Sequence, residues 1–271
     1  MPIVNLEGVD IYYHVQGKGI PIVFIHPPLL TSKNFIYQVN ELSRHFKTIV
    51  FDIRGHGNSS FSEMALTYSL ISHDIKQLLD HLEIDKAFIC GYSTGGSIAL
   101  EFLLTYPKRS LGGILIGAMS EVNDPSLKNR IILGVKLAKW KAHKALALSV
   151  SFTNSNTGQL FKDLYINAKK GKAQNIEQYY RYSLHYNCTD RLDQIKFPVL
   201  LMYGEKNKAF HHYANLLHEK LPVNEYILIG DVKHQLPTKA SVAVNNFIKQ
   251  FVSTHGNQKV GSNAIDEKTK S

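Results

Sequence analysis

The chain has 271 residues, of which 44% are hydrophobic and 20% charged, and its formal net charge is +9. This length suits one large domain or one domain with an inserted subdomain, and the composition is ordinary for a globular protein. No apolar run approaches the roughly 20 residues of a membrane-spanning helix, and Met1–Glu7 lacks the features of a signal peptide. We therefore predict a cytoplasmic protein with no membrane span.

Much of the positive charge lies in six basic side chains that have no acidic residue among them: Lys128, Arg130, Lys136, Lys139, Lys141 and Lys144. The favoured interpretation is a solvated helix face, and the alternative is attraction of an anionic substrate or surface. The segment matches no recognisable nucleic-acid module, so we predict no nucleic-acid partner. The sequence indicates no oligomeric state.

The first half of the chain alternates strands with helices. Residues 3–6 and 9–15 are predicted as short strands joined by a hairpin at Glu7-Gly8. Continuous apolar runs at Pro21–Ile25 and Lys47–Phe51 predict strands that are buried on both faces. Helical spacing is found over residues 32–45 and 69–82. A further strand (87–90), helix (97–104) and strand (112–117) follow.

Residues 121–194 interrupt this alternation and are predicted to be mainly helical, over 126–149, 158–169 and 175–185. Strands at 197–204 and 225–229 and helices at 210–220 and 239–251 resume it. The predicted fold is therefore an α/β, mostly parallel eight-stranded sheet with helices on both faces and a helical cap insertion. The expected domains are a core (1–120 and 195–252), a cap (121–194) and a disordered tail (253–271).

A short stretch, Gly91-Tyr92-Ser93-Thr94-Gly95, lies between a predicted strand and a predicted helix. The G-x-S-x-G spacing suits a serine at a sharp strand-to-helix turn, where its neighbours leave no room for side chains. The following helix directs its free N–H groups at any charge that develops on the serine's substrate. Because functional groups gather at the carboxyl ends of parallel strands, Ser93, Asp52 and the loop after Ile25 are expected at one edge.

Five landmarks in order make the chain resemble the α/β-hydrolase superfamily from about Ile3 to Phe251. They are the strand ending in Phe24-Ile25-His26, the loop 52–57, the turn 91–95, the strand and loop 198–207, and the late His234. The resemblance implies Ser93 as nucleophile and His234 as general base, in the chain order usual for the family. It also implies structural roles for His26, Asp52, Arg54 and His56, near the turn.

The third member of the expected triad is ambiguous. Similar proteins often carry aspartate where Asn207 stands, and a neutral amide accepts the imidazole N–H without stabilising imidazolium by charge. Three interpretations stay open: Asn207 orients the histidine, Glu205 reaches it instead, or the acid has moved to Glu121. We favour Asn207, with Glu121 as the second choice.

The expected oxyanion loop also departs from the family pattern. The chain has His26-Pro27-Pro28-Leu29, and Pro28 has no N–H to donate. We therefore expect the backbone N–H groups of Leu29 and Thr94 to stabilise the developing oxyanion.

The leading functional hypothesis is a serine hydrolase that cleaves a small ester, thioester or similar carbonyl substrate without a cofactor or a metal. The alternative is a non-catalytic ligand receptor or regulator on a hydrolase scaffold. Asn207 and Pro28 are the two departures that keep this alternative open.

Overall fold

The computed structural model describes residues 2–256, which contain one sheet of eight strands in the order β1-β2-β4-β3-β5-β6-β7-β8. The six strands from β4 to β8 in this order run parallel to one another. The strands are β1 (Ile3–Leu6), β2 (Val9–Gln16), β3 (Pro21–Ile25), β4 (Lys47–Phe51), β5 (Ala87–Tyr92), β6 (Ser110–Ile116), β7 (Val199–Gly204) and β8 (Asn224–Ile229). The predicted mostly parallel sheet is confirmed.

The first two strands run antiparallel to their neighbours. Glu7 and Gly8, with φ angles of 49° and 83°, form the tight turn that joins them. Two successive left-handed residues are what a two-residue hairpin needs to follow the twist of its strands. The hairpin predicted at this point is therefore present.

Helices cover both faces of the sheet, together with short 3₁₀ turns at Ser32–Phe35, Pro107–Arg109, Thr189–Gln194 and Lys208–Phe210. The α-helices are α1 (Ile36–Leu42), α2 (Tyr68–His81), α3 (Thr94–Thr105), α4 (Pro125–Lys139), α5 (His143–Thr153), α6 (Gly158–Ala168), α7 (Ala173–His185), α8 (His211–Lys220), α9 (Leu236–Lys239) and α10 (Ser241–Gly256). Several begin at side-chain caps, such as Thr67 before α2 and Asp124 before α4.

Alternate residues of each central strand enter two separate hydrophobic cores. In β3, Val23 and Ile25 pack with α2, α3 and α8, whereas Ile22 and Phe24 pack with α1 and α10. Because successive side chains of a strand point to opposite faces, a continuous apolar run supplies both cores. The sheet is thereby fixed between two layers of helices, and its carboxyl edge forms the base of the site.

The predicted helix over residues 126–149 is wrong, because two helices, α4 and α5, occupy this segment. Lys141 adopts a left-handed conformation, with φ of 58°. The N–H of Ala142 then donates to the carbonyl of Leu137 at 2.8 Å, and that of Lys141 to Ala138 at 2.9 Å. This Schellman-type closure ends α4 without the glycine that usually marks such a turn, so the sequence carried no signal for it.

Helices α4 to α7 lie between β6 and β7, and residues 121–194 are called the cap segment below. The Tyr179 hydroxyl of α7 donates to the backbone carbonyl of His26 at 3.0 Å, and Tyr68 of α2 donates to Ser183 at 2.8 Å. These buried bonds tie α7 to the core. Trp140 and Phe152, by contrast, are 69% and 72% exposed.

The last described helix extends the core beyond the predicted boundary. Residues 253–256, predicted as the beginning of a disordered tail, belong to α10 because Val252 and Gly256 are buried against the core. A Cβ at Gly256 would overlap the side chain of Ile20. The remainder of the predicted tail, 257–271, lies outside the described residues. Within residues 2–256, no helix combines the length and the apolar character needed to cross a membrane.

Candidate active site

Ser93 lies at the junction between β5 and α3, with φ of 55° and ψ of −125°. This conformation is costly for a residue with a side chain and is maintained only where the surrounding structure imposes it. Strand pairing holds Tyr92 on one side, and the Ser93 N–H donates to the carbonyl of Ile116 at 2.8 Å. The turn therefore holds the serine hydroxyl in place at the carboxyl edge of the sheet.

The glycines of the motif are required by close backbone approaches. A Cβ at Gly91 would overlap the carbonyl of Gly95, and one at Gly95 would overlap the carbonyl of Ile25. Neither position has room for a side chain, as the motif predicted. A substitution at Gly91 would displace α3 from β5, one at Gly95 would displace α3 from β3, and either would move Ser93.

His234 occupies the loop between β8 and α9, and its Nε2 lies 3.0 Å from Ser93 Oγ. Its ring packs over Gly117, where a Cβ would lie 2.9 Å from the ring and φ is 55°. The rings of Phe210 and Tyr92 flank it, with centroids at 4.3 and 5.3 Å. The structure thus brings together the two residues predicted as nucleophile and base, 141 positions apart in the sequence.

The surroundings of His234 disfavour its charged form. Burial between the two aromatic rings, and secondarily the positive charge of Arg130, lower the pKa of His234 to about 3. Desolvation and a nearby like charge both penalise imidazolium. The imidazole is therefore neutral near physiological pH, the state in which it accepts a proton.

Asn207 is the group that reaches the other ring nitrogen of His234. Its amide Nδ2 lies 3.1 Å from Nδ1. The amide nitrogen and oxygen are alike in shape, so a half-turn of the amide places Oδ1 at the same point. If Oδ1 faces the ring, Nδ1–H donates to Asn207, and Nε2 is free to accept a hydrogen bond from Ser93. If Nδ2 faces the ring, Nδ1 must accept, and the imidazole proton lies on Nε2.

The two carboxylates considered as alternatives bond elsewhere. Glu205 accepts from the backbone N–H of Asp231 at 3.2 Å. Glu121 accepts from the side chains of Asn123, Asn187 and Thr189, at 2.7, 2.6 and 3.2 Å. Of the three candidates, the structure brings only Asn207 to His234 within the described part of the chain.

The loop after β3 places two prolines at the site and turns its next residue inward. Pro27 and Pro28 line the cavity above Ser93, as does Leu30. Leu29 has φ of 71°, and its buried side chain packs into a cap cluster with Ala138, Ala147, Ala168 and Ile176. The side chain of Leu29 therefore anchors the loop to the cap segment.

Thr94 is the other residue predicted to donate to an oxyanion. It is the first residue of α3 and lines the cavity next to Ser93. The first N–H groups of a helix have no intrahelical partner and carry the positive end of the helix dipole. The structure therefore places Thr94 beside Ser93 at the start of α3, and its role as an oxyanion donor stays a prediction.

A buried network supports this loop from below. His26 donates through Nδ1 to the carbonyl of Pro27 and accepts at Nε2 from the N–H of Ile53, both at 2.9 Å. Burial lowers the pKa of His26 to about 4. Asp52 accepts from the N–H groups of Ser32 and Asn58 at 2.9 Å. These contacts match the scaffolding roles expected for His26 and Asp52.

Arg54 and His56 complete the network. Arg54 forms a bidentate pair with Asp74 at 2.6 and 2.7 Å, and burial raises the pKa of Asp74 despite that partner. His56 donates through Nδ1 to the carbonyl of Arg54 at 3.0 Å, and its ring lies 5.4 Å from that of His26. Burial, and secondarily His26, lower the pKa of His56 to about 3.

A cavity of about 380 Å³ opens above Ser93 and His234, between the sheet edge and the cap segment. Its walls are mainly apolar side chains of α4, α5 and α7, including Leu127, Ile131, Leu146, Val150 and Tyr180. Because Gly134 of α4 has no side chain, the Tyr180 ring packs directly against it, 3.1 Å from the position that a Cβ on Gly134 would occupy. The volume suits a small organic molecule.

Sequence reasoning did not identify three residues that shape this site. Gly117, Phe210 and Arg130 each contact or influence His234. Gly117 is the last residue of a predicted strand, close to the edge where Ser93 is expected, so its position was a usable signal. Arg130 was noted in the sequence only as one of six basic residues, and Phe210 carried no signal, because their approach to His234 depends on how the helices that bear them pack.

Neither a metal site nor a disulfide is present in the described residues. No group of three or more His, Cys, Asp or Glu side chains is placed there to hold a metal ion. Cys90 and Cys188 are both buried free thiols. Burial raises the pKa of the Cys188 thiol to about 11, so it is protonated at neutral pH.

Comparison with known proteins agrees with this architecture. The sequence profile of the alpha/beta hydrolase fold matches residues 20–237. The chain belongs to the alpha/beta hydrolase family.

Individual relatives match over nearly the whole chain. The AB hydrolase superfamily protein YisY of Bacillus subtilis (strain 168) is 25% identical over 257 residues, which cover 90% of this chain and 96% of that protein. The probable proline iminopeptidase of Leptolyngbya boryana is 37% identical over 304 residues, covering 92% and 93%. The enol-lactonase of Burkholderia xenovorans LB400 shares the fold, with a TM-score of 0.83 at 19% identity and coverage of 93% and 100%.

Proposed function

We propose that this alpha/beta hydrolase is a serine hydrolase that cleaves a small ester through an acyl-enzyme. The observation that carries the proposal is the 3.0 Å contact between Ser93 Oγ and His234 Nε2, at the base of a mainly apolar cavity. A serine hydroxyl becomes nucleophilic when a neutral imidazole accepts its proton as the new bond forms.

In the first half of the reaction, Ser93 Oγ attacks the ester carbonyl while its proton passes to His234 Nε2. Asn207 Oδ1 accepts from Nδ1–H and holds the ring in the tautomer that leaves Nε2 free. The imidazolium then gives the proton to the departing alcohol, and the acyl group stays on Ser93. In the second half, His234 activates water in the same way, and Ser93 is released.

The negative charge that develops on the carbonyl oxygen needs donors already in place. We assign the Thr94 N–H at the start of α3 as one donor and the Leu29 N–H as the second. The left-handed conformation of Leu29 and its anchor in the cap cluster hold that segment of backbone fixed beside the cavity. Pro28, which lines the cavity, contributes shape and no hydrogen bond.

The lining of the cavity favours an ester over a peptide with a free amino terminus. No Asp or Glu side chain lines it within the described residues, so a substrate ammonium group would have no carboxylate partner. Arg130, which does line it, would repel such a cation. The proposed substrate therefore differs from the one suggested by the name of the Leptolyngbya relative, a probable proline iminopeptidase.

A fluorophosphonate probe tests the nucleophile directly, since it reacts covalently with activated serine hydroxyls. We expect intact-mass measurement to find one adduct on the wild-type protein and none on Ser93→Ala. Ser120→Ala, which removes a serine hydroxyl that bonds Thr189 outside the cavity, is the matched control and should retain the adduct. No adduct on the wild type after prolonged exposure would favour the receptor alternative, and an adduct on Ser93→Ala would remove Ser93 as the nucleophile.

A further inference from the structure

One basic side chain of the cap segment faces the reaction site. Leu127, Arg130, Ile131 and Gly134 of α4 all line the cavity, at the spacing that places residues on one face of a helix. The lysines of the same segment do not line it. All six basic side chains are exposed, as the sequence interpretation of a solvated face expected, and Arg130 is the one among them that also lines the cavity with Ser93 and His234.

The charge of Arg130 has no partner in the described part of the chain. No ion pair or side-chain hydrogen bond joins it to another residue there, whereas Arg54, Arg109, Arg181 and Arg191 each pair with a carboxylate. Among the described residues that line the cavity, it is also the single Asp, Glu, Lys or Arg side chain. An unpaired guanidinium beside an apolar cavity is available to a ligand, and its planar fork matches a carboxylate.

We propose that the site takes carboxylate-bearing esters, and that Arg130 binds the substrate's carboxylate while Ser93 attacks its ester carbonyl. This inference rests on the proposed function and names the class of substrate. The apolar walls contributed by Leu146, Val150 and Tyr180 would then contact the carbon chain between the two groups.

A second observation gives such a substrate a chemical advantage. Arg130 disfavours the imidazolium of His234, and Asn207 offers no negative charge to offset it. A carboxylate paired with Arg130 would neutralise that repulsion as His234 takes the serine proton. An anionic substrate would thus supply part of the electrostatic support that an aspartate at position 207 would otherwise give.

The test compares charged and neutral esters of the same shape. The 4-nitrophenyl monoesters of glutaric, adipic and pimelic acid are each paired with the counterpart in which a methyl ester caps the free carboxylate. Release of 4-nitrophenolate gives kcat/KM for both, and the ratio of charged to neutral measures recognition of the carboxylate. We expect the wild type to favour the charged ester of at least one chain length by about tenfold or more.

Variants assign that ratio to Arg130. In Arg130→Gln the ratio should fall by about tenfold, and in Arg130→Lys it should be partly retained. Lys128→Gln, which removes an exposed cation two residues away on the same helix, is the matched control and should keep the wild-type ratio. The wild-type ratio should also fall as salt rises from about 0.05 to 0.5 M, a measurement that needs no variant.

The outcomes separate this inference from the proposed function. Hydrolysis that depends on Ser93, with a ratio at or below one or a ratio unchanged in Arg130→Gln, would overturn the carboxylate assignment and leave the hydrolase standing. Absence of Ser93-dependent hydrolysis of every ester, charged and neutral, would overturn the proposed function itself. A fall of the ratio in Lys128→Gln equal to that in Arg130→Gln would indicate general attraction by the basic segment and overturn the specific role of Arg130.

Discussion

Asn207 has the largest effect on the chemistry of this site, because its neutral side-chain amide contacts the histidine. It reaches His234 Nδ1 at 3.1 Å, where an aspartate would place a negative charge. An amide holds the ring by a hydrogen bond but leaves imidazolium without a counter-charge. Asn207 can therefore orient the ring of His234, but it adds no negative charge beside it.

Restoring that charge should accelerate the reaction. We expect Asn207→Asp to raise kcat for a neutral ester by up to about 10⁴, because the reverse change lowers kcat by about that factor in a serine protease. Hydrolysis of 4-nitrophenyl butyrate measures it. Glu205→Gln serves as the control, since Glu205 is exposed and bonds the backbone of Asp231. A kcat for Asn207→Asp at or below that of the wild type would contradict the assignment of Asn207 as the partner of His234.

The residue at position 207 should also influence the pH dependence of the reaction. With the pKa of His234 lowered to about 3, the imidazole stays neutral on acidification. We expect kcat/KM of the wild type to stay level from about pH 8 to about pH 5. In Asn207→Asp the carboxylate favours imidazolium, so the decline should begin at higher pH. Profiles that decline at the same pH in both proteins would show that another group controls the acid limb.

At the scale of elements, the end of helix α4 decides what covers the site. The left-handed Lys141 ends α4 and starts α5 in a new direction; α5 packs on α6, and its Leu146 and Val150 line the cavity. At the end of α5, Asn154 accepts a hydrogen bond from the Tyr92 hydroxyl at 3.1 Å, next to Ser93. An uninterrupted helix over 126–149 would have carried Val150 away from the sheet edge, because its axis would continue in one direction.

Trimming the wall made by α5 should change chain-length selectivity. Val150→Ala removes two methyl groups from the cavity lining, so we expect the best substrate in a 4-nitrophenyl ester series to shift toward longer acyl chains by about two carbons. Leu148→Ala lies on the same helix at a side chain that is 50% exposed, and it should leave the series unchanged. An identical optimum in Val150→Ala and the wild type would show that the acyl chain lies against another wall.

For the whole molecule, buried neutral histidines couple the fold to pH. His26 and His56 lie beneath the loop that carries Pro27 and Pro28, with pKa values lowered to about 4 and about 3. The unfolded chain binds protons on histidine below about pH 6.5, whereas the folded protein does not until these lower values. The free energy of unfolding contributed by these groups is therefore present at neutral pH and is lost as pH falls from about 6.5.

Replacing one of these histidines should make the free energy of unfolding less dependent on pH. We expect the free energy of unfolding of His56→Asn to depend on pH less steeply than the wild type between about pH 6 and 4, by about 1.4 kcal/mol per pH unit. Urea unfolding at a series of pH values measures the slope. Asparagine retains a donor for the carbonyl of Arg54, which limits structural damage. His185→Asn, at an exposed position, is the control, and equal slopes in His56→Asn and the wild type would show that His56 titrates as in the unfolded chain.

The sequence by itself determined the features that local patterns encode. Apolar runs such as Pro21–Ile25 specify buried strands, and the spacing around Ser93 specifies a turn where Gly91 and Gly95 cannot carry side chains. The order of strands and helices then specifies a mostly parallel sheet whose carboxyl edge gathers Ser93 and His234. The sequence predicts these strands and this turn because they depend on backbone geometry and burial, which are set by residues close together in the chain.

Only the tertiary structure decided which of several similar residues approach one another. Asn207 rather than Glu205 or Glu121 reaches His234, because the loop after β7 and the loop after β8 bond backbone to backbone at Lys206 and Val232. Arg130 differs from its neighbouring lysines because the packing of α4 on α7 turns its face to the cavity. Distances between segments far apart in sequence depend on packing, which no local pattern specifies.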